Sequence, residues 1–168
     1  MASVALKIVI ATDAWKPQIN GVVTTLSHVE GYLRAQGCEV RVIHPGHFHT
    51  FALPNYKEIC VAWNVWKFAE IFESFKPDCV HIATEGPIGL AARRYLTKRG
   101  LPFTTSLHTK FPEYVNQRIG MPVSWGYAFL RWFHEPSKAT LVTTESMRDE
   151  LTARNLKDLV VWTRGVDT

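Results

Sequence analysis

The sequence predicts an α/β fold built on a mostly parallel sheet. Two observations carry this expectation. Short apolar runs alternate with segments of helical periodicity along the whole chain, and two of the strand ends pass directly into glycine-bearing loops that open the next helix. Size agrees, because 168 residues of which 46% are hydrophobic suffice for one domain with a sizeable core.

The first strand runs from Lys7 to Thr12 and feeds the loop Trp15-Lys16-Pro17-Gln18-Ile19-Asn20-Gly21-Val22. Pro17 lacks an N–H and disfavours helix at Lys16, so the segment is a loop. A helix follows from about Gly21 to Gln36, with Val22, Leu26, Val29 and Leu33 on one face and Gly37 beyond its end. A helix start presents unpaired N–H groups and a partial positive charge, and Gly21 lets a ligand approach the backbone. The loop reads either as a cradle for a phosphate or carboxylate or as an ordinary connection. Asp13, Asn20 and Gly21 are its candidate functional residues.

The second strand is Glu39 to His44, followed by a loop that holds His44, His47 and His49 and continues through Pro54-Asn55-Tyr56. No nearby carboxylate or thiol completes a metal shell, so a substrate-facing loop is the better reading. Glu58 to Trp63 is the next strand, and Val65, Phe68, Ala69, Phe72 and Phe75 mark a helix that Pro77 ends. Strand Asp78 to Ala83 leads into Thr84-Glu85-Gly86-Pro87-Ile88-Gly89, a second loop-to-helix junction, and the helix Ile88 to Arg99 stops at Gly100. Its Arg93, Arg94, Lys98 and Arg99 form a solvated face, with a membrane or acceptor patch as the alternative.

Phe103 to Leu107 is a strand that delivers His108-Thr109-Lys110-Phe111-Pro112-Glu113-Tyr114 at its carboxyl end, where open α/β sheets place their ligands. Val123 to His134 is a helix whose Trp125, Phe129, Trp132 and Phe133 share a face and read as core, membrane contact being the alternative. Ala139 to Thr144 is a strand, Ser146 with Asp149 resembles a capping box opening a helix to about Arg154, and Leu159 to Trp162 is the last strand. The repeated alternation is Rossmann-like, with right-handed crossovers and helices on both faces.

A net charge of +4 leans towards anionic partners without selecting one. Cys38, Cys60 and Cys79 lack C-x-x-C spacing; Cys60 and Cys79 lie in strand-like runs as buried free thiols, and a reducing cytoplasm is the simplest setting. Met1 to Ala11 reads as a first strand rather than a signal peptide, and no stretch approaches the ~20 apolar residues that span a bilayer. The first turn lacks G-x-G-x-x-G, which disfavours a nicotinamide enzyme, and no P-loop or G-x-S-x-G is present.

Four motifs in order carry a resemblance. They are Lys7-Ile8-Val9-Ile10 leading to Pro17-Gln18-Ile19-Asn20-Gly21-Val22-Val23-Thr24-Thr25-Leu26, then Thr84 to Gly89, His108 to Tyr114, and Arg164-Gly165-Val166-Asp167-Thr168. Together they resemble the retaining glycosyltransferases of group 1 (family 4), nearest to GDP-mannose-dependent mannosyltransferases and sulfoquinovosyl-diacylglycerol synthases. The resemblance implies a GT-B architecture of two Rossmann-like domains facing across a cleft. Residues 1–168 would be the amino-terminal, acceptor-side domain, with the carboxy-terminal donor-binding domain absent and the fragment alone inactive.

The resemblance further implies transfer of a hexose, mannose favoured, with retention, from GDP-mannose or a UDP-hexose to a hydroxyl acceptor, lipid or saccharide. It implies no metal, and no cofactor or nucleic acid is expected; the cytoplasmic setting follows the cysteines, and peripheral contact at the inner face of a membrane, through the Arg93 to Arg99 face, is a further alternative. Gly21 matches the glycine that approaches the donor diphosphate, with Asn20 and Val22 in the same loop, and Asp13 beside donor and acceptor. His108 matches the histidine that contacts the donor sugar. Thr109, Lys110 and Glu85 fall on the acceptor side. Read from the residues alone, His108 is equally a satisfied histidine at a strand end. A non-catalytic Rossmann-like binding or interaction module is the rival to the whole reading.

Overall fold

The computed structural model describes residues 5–53, 56–108, 112–113, 116–117 and 120–163, without the side chains of 53 and 56–58. The chain divides into two units, residues 1–103 and 104–168. Each is built on parallel strands with helical crossovers, and the parallel strands belong to one six-stranded sheet, the α/β class that the alternation predicts.

The first unit contains β1 (Lys7–Ala11), α1 (Gly21–Ala35), β2 (Glu39–Ile43), β3 (Thr50–Leu53), β4 (Tyr56–Ala62), α2 (Phe68–Phe75), β5 (Cys79–Ile82) and α3 (Pro87–Arg99). Strand β1 lies between β2 and β5 and pairs in parallel with both, Ile8 opposite Val40 on one side and Cys79 on the other. Ile10 packs with Leu26, Val40 and Val42 beneath α1. Alternate residues point to opposite faces, and Val9 and Ala11 are fully buried too, so β1 is covered on both sides.

Helix α1 opens on Asn20 and closes through Gly37, whose φ of +86° suits glycine; there the Gly37 and Cys38 N–H groups bond Arg34 and Leu33 carbonyls. Phe68 and Phe72 of α2 stack at 5.7 Å and meet Tyr95 of α3 at 5.8 and 5.1 Å.

Three expectations are corrected in this unit. Thr50–Leu53, read as loop, is a strand, and with β4 it forms a separate antiparallel hairpin, Phe51 opposite Val61. Four residues are too few to show a period, and their partner supplies the order. The helix expected from Val65 begins as a 3-10 turn, Val65–Lys67, before α2. Cys79, expected to be buried, is exposed as the first residue of β5; all three thiols are free.

The second unit contains β6 (Thr104–Leu107), α4 (Val123–His134), β7 (Thr140–Val142), α5 (Glu145–Ala153) and β8 (Leu159–Val161). Strand β7 pairs in parallel with β6 and β8. The core unites Leu107, Tyr127, Leu130, Val142, Leu151 and Leu156.

Helix α4 bears out half of its aromatic stripe, Phe133 being buried and Phe129 packed against the core, and corrects the other half. Trp125 is 67% and Trp132 48% exposed, whereas the buried residues are Gly126, Tyr127, Leu130, Phe133 and His134. Close approach decides the face: a Cβ on Gly126 would lie 2.6 Å from Pro112 Cβ, and the Tyr127 hydroxyl donates to Glu113 Oε1 at 2.6 Å. Helix α5 is capped by Thr144, which accepts the Met147 N–H at 3.1 Å, and not by Ser146.

Candidate active site

In the first unit the chain runs from β1 to β2 on one side and returns to β5 on the other. The β1–β5 boundary is therefore a topological switch point, the place at which open α/β sheets bind their ligands. The loop after β1 carries Asp13, Asn20 and Gly21; the loop after β5 carries Thr84, Glu85 and Gly86.

Asp13 ties the two loops together. Its backbone N–H donates to Thr84 Oγ1 at 2.7 Å, and its carboxylate accepts the Thr84 hydroxyl at 2.8 Å and the Ile88 and Gly89 N–H groups at 2.8 and 3.2 Å. The anion at the start of α3 is thus supplied by the protein itself. Burial pushes the Asp13 carboxyl above its ordinary value, against the pull of these hydrogen bonds, and the negative charge of Glu85 adds to the rise. The motif glycines follow from this contact. A Cβ on Gly86 would sit 2.6 Å from Asp13 Oδ2, and one on Gly89 would collide with the Thr84 carbonyl oxygen.

Asn20 plays the matching part at α1, where its Oδ1 accepts the Val22 and Val23 N–H groups at 3.1 and 3.0 Å. Gly21 is exposed as the first helical residue, and Val22 packs partly on the core beneath α1. Glu85 is half-buried beside Asp13. At the α1 start, expected as an anion cradle, two of the N–H groups are thus bonded to Asn20, and Gly21 lies exposed beside them.

His44 and His47, beside Trp15, meet edge-on at 4.4 Å, and His44 Nδ1 accepts the Gly46 N–H at 3.2 Å. Burial, with His47 alongside, lowers the His44 pKa to about 4, so the ring is neutral at physiological pH. Among the described residues no group of three or more His, Cys, Asp or Glu side chains is placed to hold a metal ion.

In the second unit His108 stands at the carboxyl end of β6, partly buried, its Nε2 2.9 Å from Ser106 Oγ. Trp162, directly after β8, presents its ring at 72° to the imidazole with centroids 6.4 Å apart. Neither Ser106 nor Trp162 was singled out by sequence reasoning; the i, i+2 spacing of Ser106 and His108 on one strand face was the available signal. Further along the His108 motif, Pro112 and Glu113 serve packing against Gly126 and Tyr127, with Arg154 4.0 Å from Glu113. Thr109, Lys110 and the segment Arg164 to Thr168 lie outside the described residues.

Comparison with known proteins now adds to this geometry. The model of the family described as Glycosyltransferase Family 4 matches residues 19–168. The chain belongs to that family. GDP-mannose-dependent alpha-mannosyltransferases of Mycobacterium tuberculosis and Mycolicibacterium smegmatis are each 23% identical to it, across 96% of this chain and 48% of their own length. An alpha-monoglucosyldiacylglycerol synthase of Acholeplasma laidlawii is 29% identical over 129 residues, 66% of this chain and 32% of that protein. This family 4 chain spans about half the length of the mannosyltransferases it matches. The family match takes in Asn20, Gly21, Glu85 and His108, while Asp13 lies just before it. Among the described residues no helix is long and apolar enough to cross a membrane.

Proposed function

We propose that this chain is the acceptor-side, amino-terminal domain of a retaining hexosyltransferase that moves mannose from GDP-mannose to a hydroxyl on a lipid or saccharide. The observation that carries the reading is the family match together with similarity to relatives named for GDP-mannose-dependent mannosyl transfer. Similarity to a glucosyldiacylglycerol synthase favours a lipid among the acceptors. The basic residues of α3 would then approach an anionic inner membrane face. The comparisons lend no support to a non-catalytic module.

The chemistry asked of the site is modest. In a front-side displacement the leaving diphosphate must be stabilised, and fixed N–H dipoles at a helix start provide that without reorganisation. Gly21, exposed at the positive end of α1, is the group for this role, with Asn20 and Val22 shaping the loop. His108 would contact the donor sugar and hold its reacting carbon. Thr109, Lys110 and Glu85 would line the acceptor side, and Asp13 would keep the two switch-point loops in register. The part of the relatives that this chain does not cover would grip the nucleotide.

In the full-length protein, His108→Ala and Gly21→Asp are expected each to lower GDP-mannose turnover by about a hundredfold while the far-ultraviolet circular dichroism stays unchanged. Wild-type turnover in both variants would refute the site.

A further inference from the structure

Strand β6 is polar on both of its faces although parallel strands are ordinarily apolar. Thr105 points to one side, where its Oγ1 lies 2.8 Å from His134 Nδ1 and 2.9 Å from Thr140 Oγ1, all three residues buried. Ser106 points to the other side, only 2% exposed, and its hydroxyl lies 2.9 Å from His108 Nε2. A buried hydroxyl costs free energy unless it is bonded, so a serine at this place has to be explained by its partner.

We infer that Ser106 is the positioning residue for His108. The two imidazole nitrogens are chemically distinct, so the partner that holds one of them sets which of them the ring presents. Contact at Nε2 turns that nitrogen back to the strand and fixes the rotation of the ring. The Trp162 ring stands beside it at 72°. Thr105, held by His134 and Thr140, fixes the strand from its opposite face, so the backbone that carries Ser106 does not yield. The inference rests on the reading of His108 as a contact of the donor sugar.

The test compares wild type, Ser106→Ala, Ser106→Thr, Ser106→Cys and His108→Ala in the full-length protein, by long-range proton–nitrogen NMR of the imidazoles and by turnover of GDP-mannose. His108→Ala identifies the His108 signals. Wild type and Ser106→Thr are expected to give matching His108 nitrogen shifts. In Ser106→Ala the His108 nitrogens shift as the contact at Nε2 is lost, and kcat falls by about tenfold to a hundredfold with little change in KM. Ser106→Cys, close in size, reports an intermediate shift should the alanine variant fail to fold. Unmoved His108 nitrogens in Ser106→Ala or Ser106→Cys overturn the inference, even if His108→Ala is inactive. Full activity in His108→Ala with shifted nitrogens in Ser106→Ala defeats the His108 reading and leaves the coupling standing.

Discussion

Asp13 shows at the scale of one residue how a loop-to-helix junction can be closed from within. Its carboxylate fills the start of α3, and Gly86 and Gly89 are glycine because that carboxylate and the Thr84 carbonyl come so close. Gly89→Ala is expected to cost more than about 2 kcal/mol, read from the urea midpoint, because the atom in the way is backbone; a change within about 0.5 kcal/mol would mean the junction is looser than described. The same carboxyl sets a pH dependence. With its folded-state pKa raised above 3.8, its contribution to stability is whole below that value and is lost as pH rises through the raised one. Relative to wild type, Asp13→Asn should therefore gain stability as pH increases across that window, followed by urea denaturation at successive pH values. Parallel curves would show that burial does not govern this group. Sequence reasoning picked out Asp13 and the Thr84–Gly89 motif separately. Their contact joins residues 71 or more positions apart, which no local pattern encodes.

At the scale of elements, what was legible followed from periodicity and what was missed followed from packing. Among the described residues, the parallel strands and five helices show in apolar runs, in helical spacing and in the residues that start or stop a helix. The hairpin of β3 and β4 does not, because β3 is four residues long and is ordered by its partner. Helix α4 is the instructive failure. Its strongest hydrophobes, Trp125 and Trp132, suggest one buried face, yet Gly126 admits Pro112 and Tyr127 reaches Glu113, and these contacts rotate the buried face away. Phe133→Ala should accordingly destabilise by about 3–5 kcal/mol and Trp132→Ser by less than about 0.5 kcal/mol, both from chemical denaturation. A larger cost at Trp132 would return the stripe to the core.

For the molecule as a whole, two kinds of information converge. Parallel sheets with a switch point at β1 and β5 say where ligands belong, and the family says what chemistry occurs on such a frame. On the proposed reading, holding a leaving diphosphate asks for fixed backbone dipoles more than for a strong base. On that reading His108 and Gly21 stand out only when the four motifs are taken together. The central claim is transfer with retention at a site containing His108. Proton NMR of the product that the full-length protein forms from GDP-mannose, in wild type and His108→Ala, tests it most directly. The donor's anomeric configuration should be kept, and transfer by the variant should be about a hundredfold slower. An inverted product, or equal rates, would contradict it.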